Sequence, residues 1–266
     1  MSGLAELLGV PKPLIGMVHL LPLPGSPRWG GSIEHVIERA LEDARALATG
    51  GIDALLVENH GDVPFCRERV DAATVAAMAR AVTEIRSSVL LPVGINVLKN
   101  DAQSALAVGV ATGACFVRVN IHTGAVVADQ GLIQAEAATT LRYRRLLSTD
   151  IKIFADVQAK HGVPLAPVDL EQEARDCASR GLADALVVSG KATGAATPLE
   201  DVKRVRSAVP ETPLLVGSGV TPDSVAELLS VADGAIVGTS LKRDGRLANP
   251  VDPARVSRLV EAARDR

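Results

Sequence analysis

Aromatic residues are nearly missing from this 266-residue chain: one Trp, one Tyr and three Phe make up 2% of it. That leaves no stacking platform for single-stranded nucleic acid and no Tyr- or Trp-rich contact surface of the paratope kind. Excess positive charge is missing as well. With 28 Lys+Arg against 31 Asp+Glu the net charge is −3, so no electrostatic footprint for a phosphodiester backbone is present and no nucleic-acid partner is expected. Cysteine is scarce. Cys66, Cys115 and Cys177 are odd in number, far apart and without a Cys-x-x-Cys pair, which argues against a disulfide framework or a structural zinc site and for a reducing compartment. No uninterrupted apolar run reaches the roughly 18 residues of a membrane span, and residues 1–12 lack the basic and apolar regions of a signal peptide. A cytoplasmic protein with no membrane span is expected.

The chain does contain aliphatic residues in abundance. Eight short runs rich in Val, Ile and Leu recur along it, at Leu14–Leu20, Ala54–Asn59, Leu90–Val97, Cys115–Asn120, Lys152–Val157, Ala185–Ser189, Leu214–Gly217 and Gly234–Gly238. Their character is continuous rather than alternating, as in strands covered on both faces. Helical periods separate them. Ser32 caps one helix, with Ile33, Val36, Ile37, Ala40, Leu41, Ala44 and Leu47 on one stripe and Gly50-Gly51 at its end. Thr197-Pro198-Leu199-Glu200 reads as a capping box with Pro at the first helical position, and Thr221-Pro222 and Asp252-Pro253 repeat the cap-then-Pro pattern. Eight βα units in one chain of this length predict an α/β fold, a single (β/α)8 TIM barrel over residues 1–266 with residues 1–13 as an N-terminal extension. An open doubly wound sheet is disfavoured, because a long Pro/Gly loop stands where its Gly-x-Gly-x-x-Gly turn would follow the first strand. Val93–Val97 and Val216–Val220 share a VGxxV pattern four strands apart.

A TIM barrel builds its active site at the C-terminal ends of its strands. The residues there are His19, Glu58-Asn59-His60, Asn96, Arg118, Asn120, His122, Asp156 with Gln158, Lys160 and His161, then Ser189 and Ser218. The opposite strand ends carry little comparable polarity. Glu58 and Asp156 are candidates for general acid/base work, with His19 and His161 beside them, because a carboxyl closing an apolar strand sits where burial and neighbours tune its pKa. Asn59, Asn96, Arg118, Asn120 and Lys160 are candidate substrate-binding residues. A salt bridge from Glu58 to Arg118 is the bland alternative. His60 and His122, each alone on a loop, read as ordinary surface. Glu58, Asp156 and His19 could instead hold a divalent metal, although no short ligand spacing marks such a site and no cofactor is expected.

Three loops at the end of the chain point to phosphate. Ser189, Gly190, Thr193 and Gly194 follow strand six, Gly217, Ser218 and Gly219 follow strand seven, and Gly238, Thr239 and Ser240 follow strand eight. Glycines let converging backbone N–H groups approach an anion without any side-chain charge. Lys191 in the same stretch suits phosphate better than imine chemistry.

These loops resemble the phosphate end of ribulose-phosphate-binding barrels, notably tryptophan synthase α subunits. There a Glu closing strand two is the general acid/base, and Glu58 stands at the matching place. The Pro-Phe-Ser-Asp-Pro stretch of those subunits is absent, so indole chemistry is not implied. Ile15-Gly16-Met17-Val18-His19-Leu20-Leu21-Pro22-Leu23-Pro24-Gly25-Ser26-Pro27, then Glu58-Asn59-His60-Gly61-Asp62 with Pro64-Phe65, and Asp156-Val157 with Lys160-His161, resemble the BtpA family over nearly the whole chain. That family takes its name from a cyanobacterial factor needed for photosystem I biogenesis. Two functions follow as expectations. One is an enzyme on a small phosphorylated metabolite such as a sugar phosphate, acting by proton transfer as an isomerase, epimerase or aldolase/lyase. The other is a non-catalytic assembly or stability factor for a membrane complex. Whether the chain forms a homo-oligomer is left open by the sequence.

Overall fold

A computed structural model describes residues 3–190 and 194–264. Eight parallel strands close into a barrel: β1 (Leu14–His19), β2 (Ala54–Glu58), β3 (Val93–Asn96), β4 (Phe116–Val119), β7 (Lys152–Val157), β9 (Ala185–Ser189), β10 (Leu214–Gly217) and β11 (Gly234–Val237). Neighbours in sequence are neighbours in the barrel, and β11 pairs with β1 to complete it. All eight apolar runs form the expected strands. The third is shorter than its run, because Leu90 is fully exposed and pairing begins only after Pro92.

Helices α2 (Ile33–Thr49), α3 (Ala72–Ser88), α4 (Ala102–Thr112), α6 (Leu170–Arg175), α7 (Leu199–Ala208), α8 (Pro222–Val231) and α9 (Pro253–Arg264) surround the barrel together with α5 (Ala137–Leu146). Ser32 accepts from the His35 N–H at 3.2 Å and starts α2 as expected. Thr197 does not cap α7. Its hydroxyl donates instead to the carbonyls of Gly217 (2.9 Å) and Ser218 (3.2 Å), and Pro198 takes the N-cap position. The VGxxV echo is not a structural repeat, since Gly94 is the second residue of β3 whereas Gly217 is the last of β10.

Two apolar layers follow from the two-residue period of a strand. Residues of one parity, among them Val18, Leu55, Val57, Ile95, Val117, Ile153, Val188 and Val216, pack outward against the helices. Those of the other parity fill the lumen: Ile15, Met17, Ala54, Leu56, Phe116, Phe154, Ala185, Val187, Leu215 and Ile236. Phe116 and Phe154, on the adjacent strands β4 and β7, stack within the lumen with ring centroids 4.5 Å apart. The room for this comes from Gly94, where a Cβ would lie 2.1 Å from the Phe116 ring. The first helix, α1 (Gly3–Leu8), sends Leu4 and Leu8 into the same lumen cluster. Helix α1 is therefore a plug at the foot of the barrel.

The expected uniform βα alternation breaks once. Between β4 and α5 the chain inserts a hairpin, β5 (Ala125–Ala128) and β6 (Gly131–Gln134), and β8 (Gly162–Pro164) in the loop after β7 pairs antiparallel with β5. The turn residues are Asp129-Gln130, and the left-handed backbone is taken by Gly131 (φ +92°) just after them. No Asn-Gly or Asp-Gly signature announces the hairpin.

Candidate active site

One step further up each lumen column the apolar side chains give way to polar ones. His19, Glu58, Asn96, Arg118, Asp156 and Ser189 each stand two residues beyond a lumen position on their own strands, and glycines hold that place on β10 and β11. Of this layer His19, Glu58, Arg118 and Gly238 form the floor of a cavity of about 800 Å³.

The floor divides into two parts. On the β3, β4 and β7 side the groups bond to one another, with only Asn96 Oδ1 left without a partner among the described residues. Asp156 accepts two parallel bonds from Arg118, from Nε at 2.8 Å and Nη2 at 2.9 Å, and a third from Asn120 Nδ2 at 2.9 Å. Asn96 Nδ2 donates to Asn120 Oδ1 at 3.1 Å and to the Arg118 carbonyl at 3.2 Å. All four residues are buried. Burial opposes the charge of Arg118, but Asp156 outweighs it and holds the guanidinium above its ordinary pKa. Arg118 and Asn120 reach the cavity wall, while Asp156 and Asn96 lie behind them. Asp156, expected to exchange protons with substrate, stands behind the cavity wall. Both its oxygens are engaged, and its position makes it a support for Arg118.

On the β1 and β2 side the groups are less committed. Glu58 Oε1 lies 4.0 Å from His19 Nε2, and neither is paired with Arg118. The alternative for Glu58, a bridge to Arg118, does not form, because Arg118 pairs with Asp156 instead. His19 is held well below the usual histidine pKa, first by burial and then by the cations Lys242, Lys160 and Arg118 together with His60. It is a neutral imidazole at physiological pH, and its Nδ1 is buried without a hydrogen-bond partner among the described residues. The imidazole lies against β11, where a Cβ on Gly238 would approach His19 Cε1 to 2.9 Å.

Gly194, Ser218, Gly219, Gly238, Thr239 and Ser240 line the side of the cavity formed by the last loops. Ser218 (φ +74°) and Gly219 (φ +64°) both take left-handed backbone, a strained state for Ser218. Thr197 pins the carbonyls of Gly217 and Ser218 from behind, and Ser240 Oγ donates to the Val220 carbonyl at 2.6 Å. The N–H groups of Gly219, Thr239 and Ser240 donate to no described residue. Three expected members of this corner stand elsewhere. Ser189, Gly190 and Gly217 sit behind the cavity wall. The reason is packing: a Cβ on Gly217 would strike Ser189 Oγ at 2.8 Å, and one on Gly190 would strike the Ala195 carbonyl at 2.4 Å. Thr193, like Lys191, lies outside the described residues.

Lys160 and His161 line the cavity as expected. Burial, followed by the charge of Arg118, pushes the Lys160 ammonium down to about 8. Asn59 does not line it. Buried completely, it donates to Asp62 Oδ2 at 3.0 Å and accepts from the Leu98 N–H at 2.7 Å, thereby fixing the segment that presents Lys99. His122 is not at the surface but buried, bonded to the Gly181 carbonyl at 2.8 Å. His60 is in the cavity wall and makes an edge contact with His19 at 5.1 Å between ring centroids.

Sequence reasoning missed Lys99, Arg255 and Asp129, all of which line the cavity. Arg255 donates from Nε to the Ser240 carbonyl at 2.8 Å. It lies in the first turn of α9, where the helix dipole disfavours a cation, and that misfit was a signal available in the sequence. Among the described residues no three His, Cys, Asp or Glu side chains group as a metal site, since the Arg118 fork takes Asp156 away from Glu58 and His19. All three cysteines are free, and Cys177, buried near Thr123, is pushed up to about 12 by burial.

A plugged parallel barrel with its polar layer at the strand C-terminal ends defines a (β/α)8 TIM-barrel protein. Solved structures of similar fold include (S)-3-O-geranylgeranylglyceryl phosphate synthase from Thermoplasma acidophilum in complex with sn-glycerol-1-phosphate (TM-score 0.61, 16% identity, all of both chains). Another is N-(5'-phosphoribosyl)anthranilate isomerase from Pyrococcus furiosus (TM-score 0.58, 15% identity, 96% of this chain and 100% of that one). At these identities they bear on the fold alone. The chain belongs to the BtpA family, whose model matches residues 10–265. It is 50% identical over 251 residues, 94% of this chain and 88% of the relative, to the photosystem I biogenesis protein BtpA of Synechocystis. No helix among the described residues is long and apolar enough to cross a membrane.

Proposed function

We propose that the protein is an enzyme that binds a small phosphorylated metabolite, such as a sugar phosphate, and moves a proton on it, as an isomerase, epimerase or aldolase/lyase. One observation carries the reading: the corner with uncommitted N–H groups at Gly219, Thr239 and Ser240 opens into the same cavity as Glu58 and the neutral His19. A phosphate at the corner would take hydrogen bonds from these N–H groups, with Arg255 and the N-terminus of α8 adding positive potential. The carbon skeleton would then extend over the polar floor. Glu58 is the group able to remove a proton next to a carbonyl. His19, neutral and next to it, is suited to donate a hydrogen bond to the oxygen on which negative charge develops. Arg118, held rigid by Asp156, and Asn120 face the same space and orient that oxygen.

The test has two parts. A thermal-shift screen against phosphorylated sugars identifies ligands, since one present at 100 times its Kd stabilises by about 2.7 kcal/mol. Glu58→Gln then keeps shape and removes the titratable proton, so turnover of the identified substrate falls by roughly 10²–10⁴ while phosphate binding persists. Turnover within a few fold of wild type would remove Glu58 from the chemistry. The second expectation, a non-catalytic factor for a membrane complex, draws on the name of the Synechocystis relative. It calls for a docking patch, and the feature nearest to one is the exposed cross-strand row Leu132, Val127 and Val163 on the small sheet. That row is small beside the concentration of polar groups in the cavity.

A further inference from the structure

Lys99 is 6% exposed and sits in the cavity wall. Its Nζ donates to the Lys160 carbonyl at 3.2 Å, a neutral partner. Among the described residues no carboxylate comes within 4.0 Å of the ammonium of Lys99 or of Lys160. The strongest attraction each feels is to Asp156, already committed to Arg118; Glu58 attracts both more weakly, and Asp129 attracts Lys99. A buried ammonium without a counter-charge is among the costliest arrangements in a protein. Lys99, buried, and Lys160, half-buried, face one cavity and together make a site suited to an anion.

Their position separates them from the glycine corner. Lys99 follows β3 and Lys160 follows β7, whereas Gly219 follows β10 and Thr239 follows β11. In the closed barrel β3 stands four strands from β10, diametrically across the mouth, and β7 stands three strands from β11. A single phosphate cannot serve both places. The cavity volume of about 800 Å³ is toward the upper end of the range for small-molecule sites, large enough for a ligand reaching from one side to the other.

We propose that the substrate carries two anionic groups, a phosphate at the glycine corner and a second phosphate or a carboxylate between Lys99 and Lys160, with the reacting carbons spanning Glu58 and His19. This deepens the functional reading above and rests on it. Asn59, which holds the Leu98 N–H next to Lys99, then has a clear purpose as part of the scaffold that keeps this second pole in place.

The full-length protein is titrated calorimetrically with straight-chain diols of three to six carbons, each as its monophosphate and its bisphosphate, and with the corresponding ω-phosphoryloxy carboxylates. For at least one length the doubly anionic ligands should bind about tenfold or more tighter than the monophosphate. In Lys99→Met and in Lys160→Met that advantage should shrink to about twofold, with monophosphate affinity unchanged. Without ligand, Lys99→Met should melt no lower than wild type, because it removes an unneutralised buried charge. Monophosphates that bind while no doubly anionic ligand of any length binds tighter would overturn the second pole and leave the phosphate corner standing. An advantage that survives both substitutions, or marked destabilisation by Lys99→Met, would overturn it equally. Failure of every probe and of inorganic phosphate to bind would remove the phosphate corner itself, and the second pole with it.

Discussion

Replacing Asp156 by Asn separates support from catalysis. The carboxylate is wholly buried, its partner Arg118 is 4% exposed, and three donors converge on it within 2.9 Å. An amide of the same shape turns one acceptor into a donor facing a guanidinium or the Asn120 amide, and leaves Arg118 buried without a counter-charge. Breaking a buried pair in this way costs about 3–5 kcal/mol. A domain of this size loses about 2–4 °C of melting temperature per kcal/mol, so Asp156→Asn should melt roughly 6–20 °C below wild type. Glu58→Gln, whose side chain lies at the cavity and has no ion pair to lose beyond the long contact with His19, should melt within about 2 °C of wild type. Differential scanning calorimetry of both variants tests the contrast. A third variant sharpens it: Arg118→Met with Asp156→Leu removes both charges together and should recover most of the lost stability, because apolar replacement of a whole buried pair is close to neutral. If Asp156→Asn melts at the wild-type temperature, or the double variant is no more stable than the single one, the pair is not the support described here.

Acidification gives a second test. His19 and His122 are both held below the ordinary histidine value, first by burial, so below about pH 6.5 the unfolded chain takes up protons that the folded one refuses. Stability must then fall as pH drops, and the slope measured by urea titration should be shallower in His122→Asn. Lys160 acts at the other end. Its folded value of about 8 lies below the unfolded value near 10.4, so between these the unfolded chain retains a proton the folded one has lost, and stability should rise with pH across that window. Lys160→Met should flatten the rise. Gly238→Ala should cost about 1–3 kcal/mol and disturb the His19 resonances in NMR spectra, since its methyl would meet the imidazole at 2.9 Å; unchanged His19 shifts would refute the contact. A thiol reagent should label exposed Cys66 in the native protein and reach buried Cys177 only on unfolding.

The strand set and its order were legible because each strand is covered on both faces, which leaves an aliphatic run bounded by helix caps. The polar residues ending those runs were legible for the same reason: an apolar strand that closes on Glu58, Arg118 or Asp156 reveals its C-terminal end. Their pairing was not. Arg118 had two carboxylates within the same layer, and only register and side-chain reach assign it to Asp156. Lys99 and His60 stand just beyond the strand ends, where sequence does not say whether a loop turns inward. The hairpin escaped notice because its strands are four residues each and its turn, Asp129-Gln130, carries the ordinary backbone while the next residue takes the unusual one.

That small sheet changes how the mouth of the barrel can move. Since β5 pairs with β6 on one side and β8 on the other, the segments leaving β4 and β7 are laced together by backbone hydrogen bonds, and neither can swing away alone without breaking them. Asp129 at the hairpin tip therefore travels with Lys160 and His161 at the approach to β8, as one plate over one half of the opening. Admission and release of a ligand thus become a hinge problem with a stiff leaf: of the two lysines proposed to hold a second anion, Lys160 rides on that leaf and Lys99 stands on the frame after β3.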